Sequence, residues 1–316
     1  MRKIILTIIL SFAANAWAQD VHFSQFLSNS FVLNPAMVGV QKNDFKATLQ
    51  RKSQWASVGT AFTTFTLALE RKDILPSHSV GIQFLNDIAG DSRFKTSGLN
   101  FTYVKTFATS KRNKIRFGAE LGLFQRSIFV DDLVFNNTEN LGNFNFNFPD
   151  ISIGFASQNY LNKDLLIESG IAFFHINKPK QSFTNNDAIR LNQKVNFHTT
   201  IRYSYTNNLS VHPKLVLSNQ DTDKEFLFGF DVNYLLEGEK DILLKSGVAD
   251  RLNDALIFYF GAEIEGFSCV LSYDVNTSSL TKASNNKGGF EFALVYQWKI
   301  KKSKKNIEQE ICPKYL

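Results

Sequence analysis

Apolar and polar residues alternate along most of the chain. From Val195 to Tyr205 the odd positions are Val, Phe, Thr, Ile, Tyr and Tyr, and the even ones Asn, His, Thr, Arg and Ser. Successive side chains of a strand point to opposite faces, so this segment has one apolar and one polar face. A helix of 3.6 residues per turn would scatter the same apolar residues around its axis. The pattern recurs between Phe45 and Trp298, for example at 115–123, 227–234 and 290–298. A soluble sandwich alternates as well. Many long copies, each near the roughly 9–11 residues that cross a bilayer as a tilted strand, point instead to a transmembrane antiparallel β-barrel.

The periodicity predicts fourteen spanning strands, near 44–52, 61–71, 79–87, 96–107, 113–125, 150–158, 165–176, 194–206, 209–219, 225–236, 241–250, 255–265, 267–276 and 289–299. An even number suits a single-chain bacterial barrel. Both ends of the mature chain are then expected in the periplasm. The tight junctions at 207–208 and 265–266 fall on that side, and the long connections after the fifth, seventh and thirteenth strands fall outside, as in other barrels. No run of eighteen apolar residues is present, so no helical span is expected.

The first eighteen residues have the layout of a signal peptide. Arg2 and Lys3 precede an apolar run from Ile4 to Ala14, and Ala16-Trp17-Ala18 is a small-x-small site that places cleavage between Ala18 and Gln19. The expected organisation is therefore 1–18 signal peptide, 19–43 periplasmic N-terminal segment, 44–299 outer-membrane β-barrel and 300–316 basic periplasmic tail. Of 35 basic and 29 acidic residues, Arg2, Lys3 and the six lysines from Lys299 to Lys314 lie outside 19–298, as do Glu308 and Glu310. Charge inside those bounds balances. The basic pI belongs to the tail and describes no nucleic-acid-binding face.

Residues 19–43 do not alternate and contain the turn markers Pro35 and Gly39. The string His22-Phe23-Ser24-Gln25-Phe26, followed by Leu33-Asn34-Pro35-Ala36 and Gly39, resembles the start of the PorP/SprF family. Arg51-Lys52-Ser53-Gln54-Trp55 resembles that family's Arg-x-x-Gln-Trp, Pro149-Asp150 with Gly154 its Pro-Asp-x-x-x-Gly, and 272–291 its last hairpin. Cys312-Pro313 is similar to its Cys-Pro ending. Asp20-Val21-His22 departs from the family's more usual Asp-Pro-x.

The resemblance implies an outer-membrane barrel of the type IX secretion and gliding machinery, without a cofactor and without catalysis. The resemblance further implies a role in the secretion or surface anchoring of adhesins or other cargo bearing a type-B C-terminal signal. Its implied partners are outer-membrane lipid, that cargo and periplasmic secretion components. The matched residues Phe23, Ser24, Gln25, Phe26, Asn34, Pro35, Ala36, Gly39, Arg51, Gln54, Trp55, Cys312 and Pro313 are expected to face partners. A passive porin or hydrophobic-solute transporter is the alternative reading.

Inward positions carry Lys46, Glu70, Arg116, Glu120, Glu168, Arg202, Lys214, Asp231, Lys245, Glu263, Asp274 and Glu291. A lumen of mutually compensating ion pairs explains them without an acid–base pair. The five histidines, His22, His78, His175, His198 and His212, lack helical metal-site spacing, although His198 and His212 are near enough across a hairpin to meet. Cys269 shares the parity of Phe267 and Leu271 and is expected on the lipid face, unpaired with Cys312. The alternating Phe144, Phe146 and Phe148 either bind a partner or fold into the barrel mouth.

Overall fold

The computed structural model describes residues 20–54, 60–90, 94–110, 112–128, 144–183, 188–278 and 287–300. Fourteen strands form the wall: β1 (Phe45–Gln54), β2 (Phe62–Leu75), β3 (His78–Ala89), β4 (Phe94–Ala108), β5 (Asn113–Ile128), β6 (Phe144–Tyr160), β7 (Leu165–Phe174), β8 (Lys194–Ser204), β9 (Leu209–Gln220), β10 (Asp223–Leu236), β11 (Ile242–Arg251), β12 (Ala255–Ile264), β13 (Phe267–Asn276) and β14 (Lys287–Trp298). Each pairs with its sequence neighbour, and β1 closes on β14 with Phe45 opposite Trp298 and Gln54 opposite Gly289. Closure leaves no unpaired strand edge, which hydrocarbon would penalise.

The predicted strands are all present. The largest difference is at β6, which begins at Phe144 and not near 150. Phe144, Phe146 and Phe148 pair with Ile128, Arg126 and Phe124 of a lengthened β5, so the aromatic comb forms the barrel mouth. An Asn-rich stretch reads as loop from sequence, yet pairing with an existing strand overrides that local preference.

The wall is apolar outside and polar inside. Phe101, Phe228, Phe258 and Phe260 are exposed, whereas Glu70, Glu168 and Glu291 are almost fully buried. Hydrocarbon solvates the outer rings, and the interior charges must find one another or another partner.

That other partner is residues 20–43, and here the sequence reading needs correction. The segment is not a separate periplasmic element. It folds into the lumen through three short helical turns, Phe26–Ser28, Ser30–Leu33 and Pro35–Met37. Phe26 and Leu33 pack against Val216, Leu227, Ala249, Ile257 and Tyr259, while Phe31 and Val38 pack against Ala68 and Val104. Asp20 contacts Gln220, His175 and Lys194, all at the end of the barrel with the long connections. The Gln41 carbonyl accepts from Lys72 at the short-turn end. The chain therefore traverses the lumen, and Asp20 lies at the opposite end from Trp298. An even strand count returns the strands to one side, but it does not constrain a segment that runs back through the barrel.

Candidate functional site

The lumenal segment is held by groups from nearly every part of the wall. Glu291 accepts hydrogen bonds from the backbone N–H groups of Ser24 (2.8 Å) and Gln25 (3.0 Å) and from the Gln50 amide (2.7 Å). Ser24 Oγ donates to Asp274 (2.7 Å), which also faces Lys52 (3.4 Å) and Arg251 (3.3 Å). Tyr259 donates its hydroxyl to the Ser24 carbonyl at 2.7 Å. Lys214 bonds Asp231 at 2.6 Å, with its ammonium 4.0 Å from the Tyr259 ring centroid and 5.5 Å from that of Phe26. A desolvated cation over an aromatic face gains from the ring quadrupole, so Phe26 is tied to the wall by charge as well as by packing.

Toward the short turns, Glu70 accepts from Ser30 Oγ and the Gly39 N–H and pairs with Lys46 at 2.9 Å. Arg116 donates to the carbonyls of Ala36 and Val38. Between these two anchors lies a recess made by missing side chains. Gly118 and Gly154 are directly opposite on β5 and β6, with Gly170 on β7 alongside. A Cβ at Gly118 would stand 2.5 Å from the backbone of Pro35 and Ala36, and one at Gly154 would stand 1.9 Å from Asn34 Oδ1. Asn34 caps the Pro35 turn by accepting from the Ala36 N–H, and its Nδ2 faces the Phe155 and Ile171 carbonyls and His198 Nε2.

Above the segment, a cavity of about 890 Å³ occupies the end with the long connections. Asp20 and His22 of the segment, Arg126, Phe148, His175 and Arg251 are among its lining residues. His175, just beyond β7, lies between Asp20 (2.6 Å) and Asp150 (2.9 Å). Burial opposes charge on the imidazole, but the Asp20 charge and hydrogen bonds to both carboxylates raise its pKa to about 10. Asp20 is correspondingly held below the usual carboxylate range: burial alone would raise it, but the charge and hydrogen bond of His175 outweigh that. His22 is pushed down by burial and then by Lys52 and Arg251, so it stands in the lumen as a neutral ring.

These positions settle the surroundings of several residues singled out in the sequence. Phe23, Ser24, Gln25, Phe26, Asn34, Pro35 and Ala36 are buried against the inner wall, and Gly39 meets Ser79 and Glu70. The side chains of the first seven grip the barrel wall from inside. Gln54 lines the cavity, whereas Arg51 lies exposed on the other face of β1, opposite Phe65 and Phe292. Trp55, Cys312, Pro313, Ala18 and Gln19 lie outside the described residues. His198 meets Asn34 and His212 meets Asn233, so the two rings take different partners. Cys269 is a partly buried free thiol. Among the described residues no cluster of three His, Cys, Asp or Glu has the arrangement of a metal site. Sequence reasoning missed the Asp20–His175–Asp150 cluster, because its members belong to the segment, β6 and a loop.

Residues 15–296 match the family described as type IX secretion system membrane protein PorP/SprF. No curated protein matches the sequence. Among solved structures, the toluene transporter TbuX of Ralstonia pickettii superposes with a TM-score of 0.51 at 9% identity, over 85% of this chain and 93% of that one. The Pseudomonas putida toluene transporter TodX gives 0.47 at 8% identity, over 84% and 93%. A KdgM porin gives 0.43 at 6% identity, over 80% and 99%. At 9% identity the TbuX likeness shows a shared barrel fold alone. With the match running through the lumenal segment and all but the end of β14, the chain belongs to the PorP/SprF family of type IX secretion system membrane proteins.

Proposed function

We propose that this barrel assists the secretion or surface anchoring of cargo proteins bearing a type-B C-terminal signal, gliding adhesins included. The observation that supports this reading is the occupied lumen. Residues 20–43 bond to the wall from Lys46 on β1 round to Glu291 on β14, so a partner is offered the outer cavity and the long connections and not a continuous path. The aromatic mouth formed by Phe144, Phe146, Phe148 and Phe183, with ring centroids 4.9–6.4 Å apart, is the surface we assign to cargo. The basic residues 300–316 are assigned to the periplasmic part of the machine.

A passive channel or hydrophobic-solute transporter needs a route past that segment. Two measurements on the full chain decide. Removing the protein from cells should lower surface display of type-B cargo, and the intact protein in planar bilayers should give no steady conductance. Undiminished display together with a steady open channel would overturn the proposal. Deleting 301–316 should leave membrane insertion intact and reduce cargo export.

A further inference from the structure

On the outer wall at the short-turn end, β2, β3 and β4 each carry a basic residue at neighbouring register positions. His78 is opposite Lys105, and the row Arg71, Val80, Tyr103 runs beside it. All share the lipid-facing parity of Leu67 and Leu69, Ile82 and Phe84, and Phe101 and Phe107, which are exposed. Lys105 Nζ lies 2.6 Å from His78 Nε2. An ammonium group only donates, so Nε2 is the acceptor and the ring proton sits on Nδ1. Nδ1 then donates to the Tyr103 hydroxyl oxygen, which leaves the Tyr103 O–H unspent. Arg71 lies over the Phe45 ring at 5.3 Å, and Phe45 stacks on Trp298 at 5.0 Å. Among the described residues no carboxylate is within ion-pair distance of Arg71, His78 or Lys105.

The remaining hydrogen-bonding capacity of this cluster is therefore almost wholly donor capacity: N–H groups of Lys105, the guanidinium of Arg71 and the O–H of Tyr103. An anionic acceptor satisfies it best, because it also balances the cationic charge. The neighbouring Trp298, Tyr296 and Tyr103 are the side chains that settle at a membrane–water boundary, and short turns mark the periplasmic side of a barrel. We propose that Arg71, Lys105 and Tyr103 bind the phosphate of a phospholipid in the periplasmic leaflet, with His78 orienting Lys105 and Tyr103. Charge-assisted bonds to phosphate are stronger than neutral ones and are strengthened further where water is scarce.

The test uses the full chain in a maltoside detergent, which carries no phosphate. Thermal unfolding and native mass spectrometry are followed with added phosphatidylglycerol, digalactosyl diacylglycerol or inorganic phosphate. Phosphatidylglycerol should raise the Tm and survive as a bound lipid, and the other two should do neither. The double variant R71Q/K105Q should weaken the phosphatidylglycerol effect at least about tenfold while keeping the lipid-free Tm. If that variant does not fold, Y103F is read in its place, since it keeps the ring and should show a smaller loss. An equal response to the galactolipid or to inorganic phosphate, or an unchanged response in the variants that fold, would overturn the site.

Discussion

Asn34 Nδ2 lies 3.1 Å from His198 Nε2 across the lumen wall, although the residues are 164 positions apart. The contact exists because β5, β6 and β7 offer glycine there, and the backbone of 34–36 occupies the volume that side chains would fill. Asn34 is the joint between the threaded segment and the barrel. Its short amide caps the Pro35 turn with one end and serves the wall with the other.

Gly154→Ala should disrupt that joint. Its Cβ would meet Asn34 Oδ1 at 1.9 Å, and overpacking of this kind costs about 1–3 kcal/mol. Gly238→Ala, whose nearest neighbour would be the Lys240 carbonyl at 3.6 Å, should be close to neutral. Urea midpoints of the two variants in the same detergent measure the difference.

Removing the Glu291 carboxylate should loosen the outer part of the segment. In Glu291→Ala the N–H groups of Ser24 and Gln25 and the Gln50 amide lose their acceptor, at about 1–3 kcal/mol for each group left unpaired in a dry site. The expected outcome is faster proteolytic cleavage near Ser24 with the barrel wall still intact, read by mass spectrometry of the fragments.

The His175 cluster predicts a pH dependence at the outer end. The folded pKa of about 10 lies above the ordinary value of 6.5, so its stabilisation is complete below pH 6.5 and is lost as pH rises through about 10. Asp20, Asp150 and Lys194 face the cluster, with Arg126 and Glu120 acting through space. The Asp20 contribution is present above its ordinary value of 3.8 and fails only as pH falls through its lowered folded value. Protection of residues 20–24 from protease should therefore hold at pH 6 and decline toward pH 10.5. His175→Gln should remove that decline.

Deleting residues 20–43 should open a conducting path if the strands still close without the segment. The deletion variant, inserted into planar bilayers, should show conductance steps absent from the intact chain. Silence from a correctly folded deletion variant would mean that the lumen is occluded by the wall or the connections as well.

Much of the wall was legible because its cause is local. Whether Glu70 or Leu69 points inward follows from parity, so the inward charges from Lys46 to Glu291 were identified without knowing their partners. The lumenal segment was not legible in the same way. Residues 20–43 show no period, and the groups they satisfy are carried by strands up to 267 positions away. The start of β6 was missed for a related reason, since Phe144 to Phe148 become strand only by pairing with the far end of β5.

The alternation along this chain was enough by itself to determine two-faced strands with charges on one face and rings on the other, because strand geometry assigns each side chain to a face whatever lies beyond it. Tertiary structure alone decided where 20–43 would go, that Asp20 would lie at the far end from Trp298, and which lumenal charge would meet which partner. Those outcomes depend on distances across the barrel, and such distances exist only after β14 has closed on β1.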